Sequence, residues 1–217
     1  MTEPRKQDHL SFTSRMARWF TPILSTLIVL YGVTTAFSAF KQSQVDDLEN
    51  DAQIVGLLEL TRSNDAFDVA DRKAGTDFDA LTRIIILEAT GGDPLVIEIL
   101  EDTLTEEALA ALRRSNTLDD AYFDEIYALA NALYDNAFMA FSAAGTLGNL
   151  RTNYDITLLL LAVGLGFAGW SSLLGDDSRI GFVFGLASTI LFVVTVIILA
   201  GALGLDMPAE IIPLPEI

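Results

Sequence analysis

Residues 19–40, 156–175 and 180–205 contain no Asp, Glu, Lys, Arg or His. Each run matches or exceeds the roughly 20 apolar residues a helix needs to cross the hydrocarbon core. No water in that core satisfies a free N–H or C=O, so the runs are expected to be helices. About a hundred polar residues separate the first run from the second, whereas only residues 176–179 separate the second from the third. The expected fold is therefore an all-α membrane protein. It has a cytoplasmic N-terminal arm (residues 1–18), three transmembrane helices, and an acidic helical extracytoplasmic domain (residues 41–153) between the first and second. A short tail follows (residues 206–217).

The first run resembles a secretory signal in part, with a basic flank and an Ala36-Phe37-Ser38 sequence of small-residue type. A signal core spans about 7 to 15 apolar residues, and this run is longer, so a retained anchor is expected.

Charge is unevenly placed. The chain carries a net −17, and residues 41–150 hold 22 Asp plus Glu against 7 Lys plus Arg, a net −15. Such a field repels nucleic acid and anionic headgroups and favours cations or basic partners, including weak cation binding by the acidic domain. The blander account is a solvated surface suited to salt. Only Lys6, Lys41 and Lys73 are lysines, which fits that account. The chain has no cysteine, so no disulfide or thiolate site exists.

Basic residues near the spans set the orientation. Arg5, Lys6, Arg15 and Arg18 precede the first span and Arg179 lies between the second and third, against Lys41 and Arg151 on the other side. The N-terminus and the short loop are expected in the cytoplasm of a cell membrane, with residues 41–153 and the C-terminus outside. Arg15, Arg18 and Trp19 read as a headgroup anchor.

Outside the membrane the spacing predicts helices throughout. Val45, Leu48, Ala52 and Val55 extend the first span outward as an amphipathic helix as far as Ser63–Asn64. A second helix is expected from Asp65 to Ala89, ended by Gly91-Gly92. Leu95 to Leu100 reads as strand or helix. Thr103 with Glu106 suggests a capping box before a helix through Arg113. A further helix runs from Asp119 or Asp120 to about Ala144, its stripe of Phe123, Tyr127, Tyr134, Phe138 and Phe141 forming the core of a small outer bundle.

Motifs that carry chemistry are few. The GxGxxG of Gly164, Gly166 and Gly169 sits inside a membrane span, where neither the strand nor the aqueous site of a dinucleotide fold is available. It reads better as packing. Gly164, Ala168 and Ser172 form a small-residue stripe, matched in the third span by Gly181, Gly185 and Thr189. Ser25, Thr34 and Ser38 are the candidate pore-lining hydroxyls of the first span. No ionisable group lies in any span, which argues against a pump or ion-coupled carrier. Asp65, Asp68 and Asp71 depart from an EF-hand loop in spacing, and His9 is the sole histidine, so no metal or cofactor is expected.

Asn153-Tyr154-Asp155 leading into residues 158–169, then Arg179 and residues 181–200, resemble a family of prokaryotic three-span membrane proteins. These have one span, a helical insert and a terminal two-span hairpin, and no assigned activity. The resemblance covers about sixty residues, mostly by hydropathy, and implies architecture only.

The functional expectation is a non-enzymatic membrane protein acting through assembly, by self-association or as an accessory subunit beside other membrane subunits. Two other readings stand beside it: a small oligomeric cation channel with an acidic vestibule, and a membrane-anchored sensor of an extracytoplasmic ligand.

Overall fold

The computed structural model describes residues 10–174 and 178–204, with side chains from residue 21 onward. The first nine residues of the arm, His9 among them, lie outside the described residues. So do the side chains of Arg15, Arg18 and Trp19, the loop residues 175–177, and the tail.

All regular structure among the described residues is helical: α1 (Leu10–Thr90), α2 (Pro94–Glu101), α3 (Glu106–Ser115), α4 (Asp120–Ile126), α5 (Ala128–Leu174) and α6 (Arg179–Leu203). Three of them, α1, α5 and α6, are long and apolar enough to cross a membrane. The chain divides into two compact units, one built on residues 1–51 and 143–211, the other mainly on residues 52–142.

The helix ends follow local chemistry. Gly91 takes a left-handed φ of +69° and closes α1, with the Gly92 amide bonded to the Leu87 carbonyl at 2.7 Å. Asp93 caps α2 by accepting from the Leu95 amide at 3.0 Å, and Pro94 follows where no N–H is needed. Thr105, rather than the expected Thr103, caps α3 through the Ala108 amide. Thr103 instead donates to the Leu100 carbonyl. Asn116, left-handed at φ 56°, closes α3. Asp119 caps α4 through the Tyr122 amide at 3.0 Å.

One expected break is absent. Ser63–Asn64 lies inside α1, because Ser63 is buried and its hydroxyl donates to the Ala130 carbonyl at 2.9 Å. Gly145 and Gly148 lie inside α5, which continues into the second span. A break appears instead at Tyr127, between α4 and α5.

In the first unit, the part of α1 beyond its apolar run is antiparallel to α5. Gln42 meets Asp155, Arg151 meets Asp46 at 2.7 Å, and a β-carbon on Gly148 would touch Glu49 at 3.4 Å. In the second unit the same opposed order recurs. Gly56 faces the Phe141 ring, Ser63 faces Ala130, and Phe67 and Asp71 both meet Tyr127.

Over residues 128–142, alanine rather than aromatic residues fills the buried face of α5. Ala130, Ala137 and Ala140 are buried, whereas Phe138 is 68% and Tyr134 52% exposed. Of the aromatic stripe, Phe123 and Tyr127 are half-buried against the core, whereas Tyr134, Phe138 and Phe141 are exposed. Small side chains permit close approach of the helix backbones, leaving the large rings on the flanks; a β-carbon on Gly56 would come within 2.8 Å of the Phe141 ring. The remaining core of this unit gathers Ala74, Ala80, Ile84, Leu104, Ala108, Ala111, Tyr122 and Ile126.

Candidate functional site

Three features concentrate polar or unfilled space: a hydroxyl cluster among the spans, a buried carboxylate, and a cleft.

The span cluster starts with Tyr31, the only tyrosine in the three apolar runs. It is fully buried, and its hydroxyl donates to the Ser188 carbonyl at 2.7 Å. The Ser188 hydroxyl in turn donates to the Gly164 carbonyl at 2.8 Å. One turn of contacts therefore links α1, α6 and α5. The Phe192 ring packs edge-on against Tyr31 at 5.0 Å, and Leu27 and Leu161 complete the surroundings. Further along, the Ser171 hydroxyl donates to the Gly181 carbonyl at 2.7 Å, joining α5 to α6 near their short connection.

Of the stripe residues, Gly164, Ala168, Gly181 and Gly185 are buried. Ser172 and Thr189 are exposed, and the Thr189 hydroxyl bonds back to the Gly185 carbonyl. Ser171 and Ser188, one residue earlier in each stripe, take the inward places. The inward hydroxyls thus lie about 100° around each helix from the stripe positions Ser172 and Thr189.

The structure does not bring the pore candidates onto one face. Ser25 is exposed, Thr34 half-buried and Ser38 buried without a hydrogen-bond partner among the described residues. Nine residues separate Ser25 from Thr34, which is about half a turn around a helix. Thr26 and Thr195 bond back to carbonyls of their own helices.

The buried carboxylate is Asp77 on α1, in the second unit. It accepts the Thr105 amide at 2.8 Å, the Thr105 hydroxyl at 2.6 Å and the Tyr122 hydroxyl at 2.8 Å. One side chain thus fastens the start of α3 and the middle of α4 to α1. Burial raises the Tyr122 phenol far above the usual tyrosine range, and the Asp77 hydrogen bond and charge add to that. With three donors already in place, Asp77 is a structural acceptor rather than a general base. Spacing offers a signal for it, since Ala70, Asp77 and Ile84 repeat at seven residues with an acid where an apolar residue is expected. Nearby, the Arg114 guanidinium bonds Asp119 at 3.0 Å and holds its carboxyl below the usual range.

The third feature is an open cleft of about 560 Å³ in the second unit. Leu81, Ile84, Ile85, Leu104, Leu109 and Leu112 form its apolar lining, and Glu88, Glu101, Arg113 and Asn116 its polar one. Among the described residues no group of three or more His, Cys, Asp or Glu is placed to hold a metal ion. Asp71 of the aspartate series accepts the Tyr127 hydroxyl.

No family model, no curated protein and no solved structure matches this chain.

Proposed function

We propose that this chain is a non-enzymatic, multi-pass membrane protein that acts through assembly, as a homo-oligomer or as an accessory subunit of a larger membrane complex. One contrast carries the reading. The inward hydroxyls Tyr31, Ser171 and Ser188 are used between spans of the same chain, whereas the second unit leaves large apolar side chains uncovered. Helix α2 contains no buried residue although five of its eight residues are Leu, Ile or Val. Exposed apolar surface of this kind on a strongly acidic unit marks a contact surface. In this reading the small-residue stripes hold the three spans together and the outer unit makes the contacts. Flanking arginines favour a cytoplasmic N-terminus with residues 41–153 outside.

The test is the mass and protein content of the nanodisc-embedded particle purified through this chain. A particle of several copies, or one containing other subunits, is expected. A single copy alone, at all concentrations and after mild solubilisation, sinks the reading.

A further inference from the structure

We infer that the cleft between the end of α1 and helices α2 and α3 receives a basic amphipathic helix of a partner protein. This rests on the assembly reading and names the partner's chemistry.

The lining has the character of a helix-binding groove. Leu81, Ile84 and Ile85 come from α1 at helical spacing, and Leu109 and Leu112 from α3, so two ridges flank an apolar floor. Ile85 is 55% exposed, although it sits beside a core that buries Ile84. The last residue of α2, Glu101, also lines the cleft, while Leu95, Val96 and Ile99 lie exposed on another face of that helix at 62%, 42% and 57%. Helix α2 gives only Ile97 and Leu100 in part to the core, and an eight-residue helix has little stability of its own.

Charge selects the occupant. Two carboxylates, Glu88 and Glu101, face one cation, Arg113, and none of the three forms an ion pair among the described residues. The surrounding segment is net −15 over residues 41–150. At this cleft the same acidic segment of a second copy is repelled, as are anionic headgroups, so of the two forms of assembly the cleft suits a different subunit. A helix with apolar residues at i, i+3, i+4 and i+7 and Lys or Arg beside them satisfies the floor and the rim together.

The test uses the full chain in neutral-lipid nanodiscs and a labelled Leu/Lys amphipathic peptide of about five turns. Its Leu/Glu counterpart and empty nanodiscs serve as controls. Binding is read by fluorescence anisotropy. Saturable binding of the basic peptide is expected, weakened about tenfold by Ile85→Asp and about threefold by Glu88→Lys with Glu101→Lys. Ile54→Asp, at an exposed apolar site away from the cleft, should leave it unchanged. Because Ile85, Glu88 and Glu101 are exposed, these variants keep the core intact, which circular dichroism checks. Equal binding of the acidic peptide, binding indifferent to Ile85→Asp, or no binding at millimolar peptide overturns the inference. Should other subunits still co-purify with Ile85→Asp protein, the cleft fails while the assembly reading survives.

Discussion

Tyr31 lies directly over Gly164, so closely that a β-carbon on Gly164 would sit 2.0 Å from the phenol oxygen and 2.6 Å from the ring carbon bearing it. The glycine makes room for the ring, and the ring reaches past it to the Ser188 carbonyl on α6. Glycine's value here is its missing side chain, since the backbone is ordinary helix.

Gly164→Ala should therefore destabilise the spans by about 1–3 kcal/mol, the usual range for overpacking. Tyr31→Phe should cost less, about 0.6 kcal/mol, as interhelical hydrogen bonds in membranes do. Thermal unfolding of single and double variants in detergent checks this. The alanine penalty should shrink in the Tyr31→Phe background, where the nearest atom is gone.

Asp77→Asn preserves shape but places two N–H donors where an acceptor oxygen served two hydroxyls. Leaving buried donors unmatched costs about 1–3 kcal/mol each. Hydrogen exchange should reveal faster opening of α3 and α4, while the amides of the spans keep their protection. Uniform protection across the chain would remove Asp77 from its role as fastener.

Alkaline pH should weaken the second unit through Tyr122. The folded state holds its phenol proton, while the unfolded chain releases it near pH 10. Unfolding thus releases a proton, and stability, full below about pH 10, falls as pH rises toward the higher folded value. Denaturant midpoints measured across that range should drop more for the native chain than for Tyr122→Phe.

Alanine and phenylalanine on α5 should behave opposite to their size. Ala140→Leu inserts bulk into a fully buried position and should cost about 1–3 kcal/mol. Phe138→Ala, at an exposed position, should stay within about 0.5 kcal/mol in the isolated particle. Calorimetry of the two variants side by side decides the matter.

Ser38→Ala removes a buried hydroxyl that has no partner among the described residues. The change should be neutral or stabilising, by up to about 1 kcal/mol. A clear loss of stability would assign Ser38 a contact absent from this arrangement.

Much of the architecture was legible before any coordinates. Absence of charge over twenty or more residues calls for a helix long and apolar enough to cross a membrane, and three such runs correspond to α1, α5 and α6. The Gly91-Gly92 pair marks the end of α1, because backbone sterics act locally. What spacing missed depends on distant partners. Ser63–Asn64 looks like a stop signal, yet the Ala130 carbonyl absorbs the serine hydroxyl. The aromatic stripe looks like a core, yet only Phe123 and Tyr127 pack against one, and Ala130, Ala137 and Ala140 take the buried places on α5. In the apolar runs Gly164, Ala168, Gly181 and Gly185 are buried, and the buried hydroxyls are Ser171 and Ser188 rather than Ser172 and Thr189.

The bond from Tyr31 to Ser188 also imposes an order on biogenesis. The acceptor for the Tyr31 phenol is synthesised more than 150 residues after it, so the link between α1 and α6 closes only once α6 has been made.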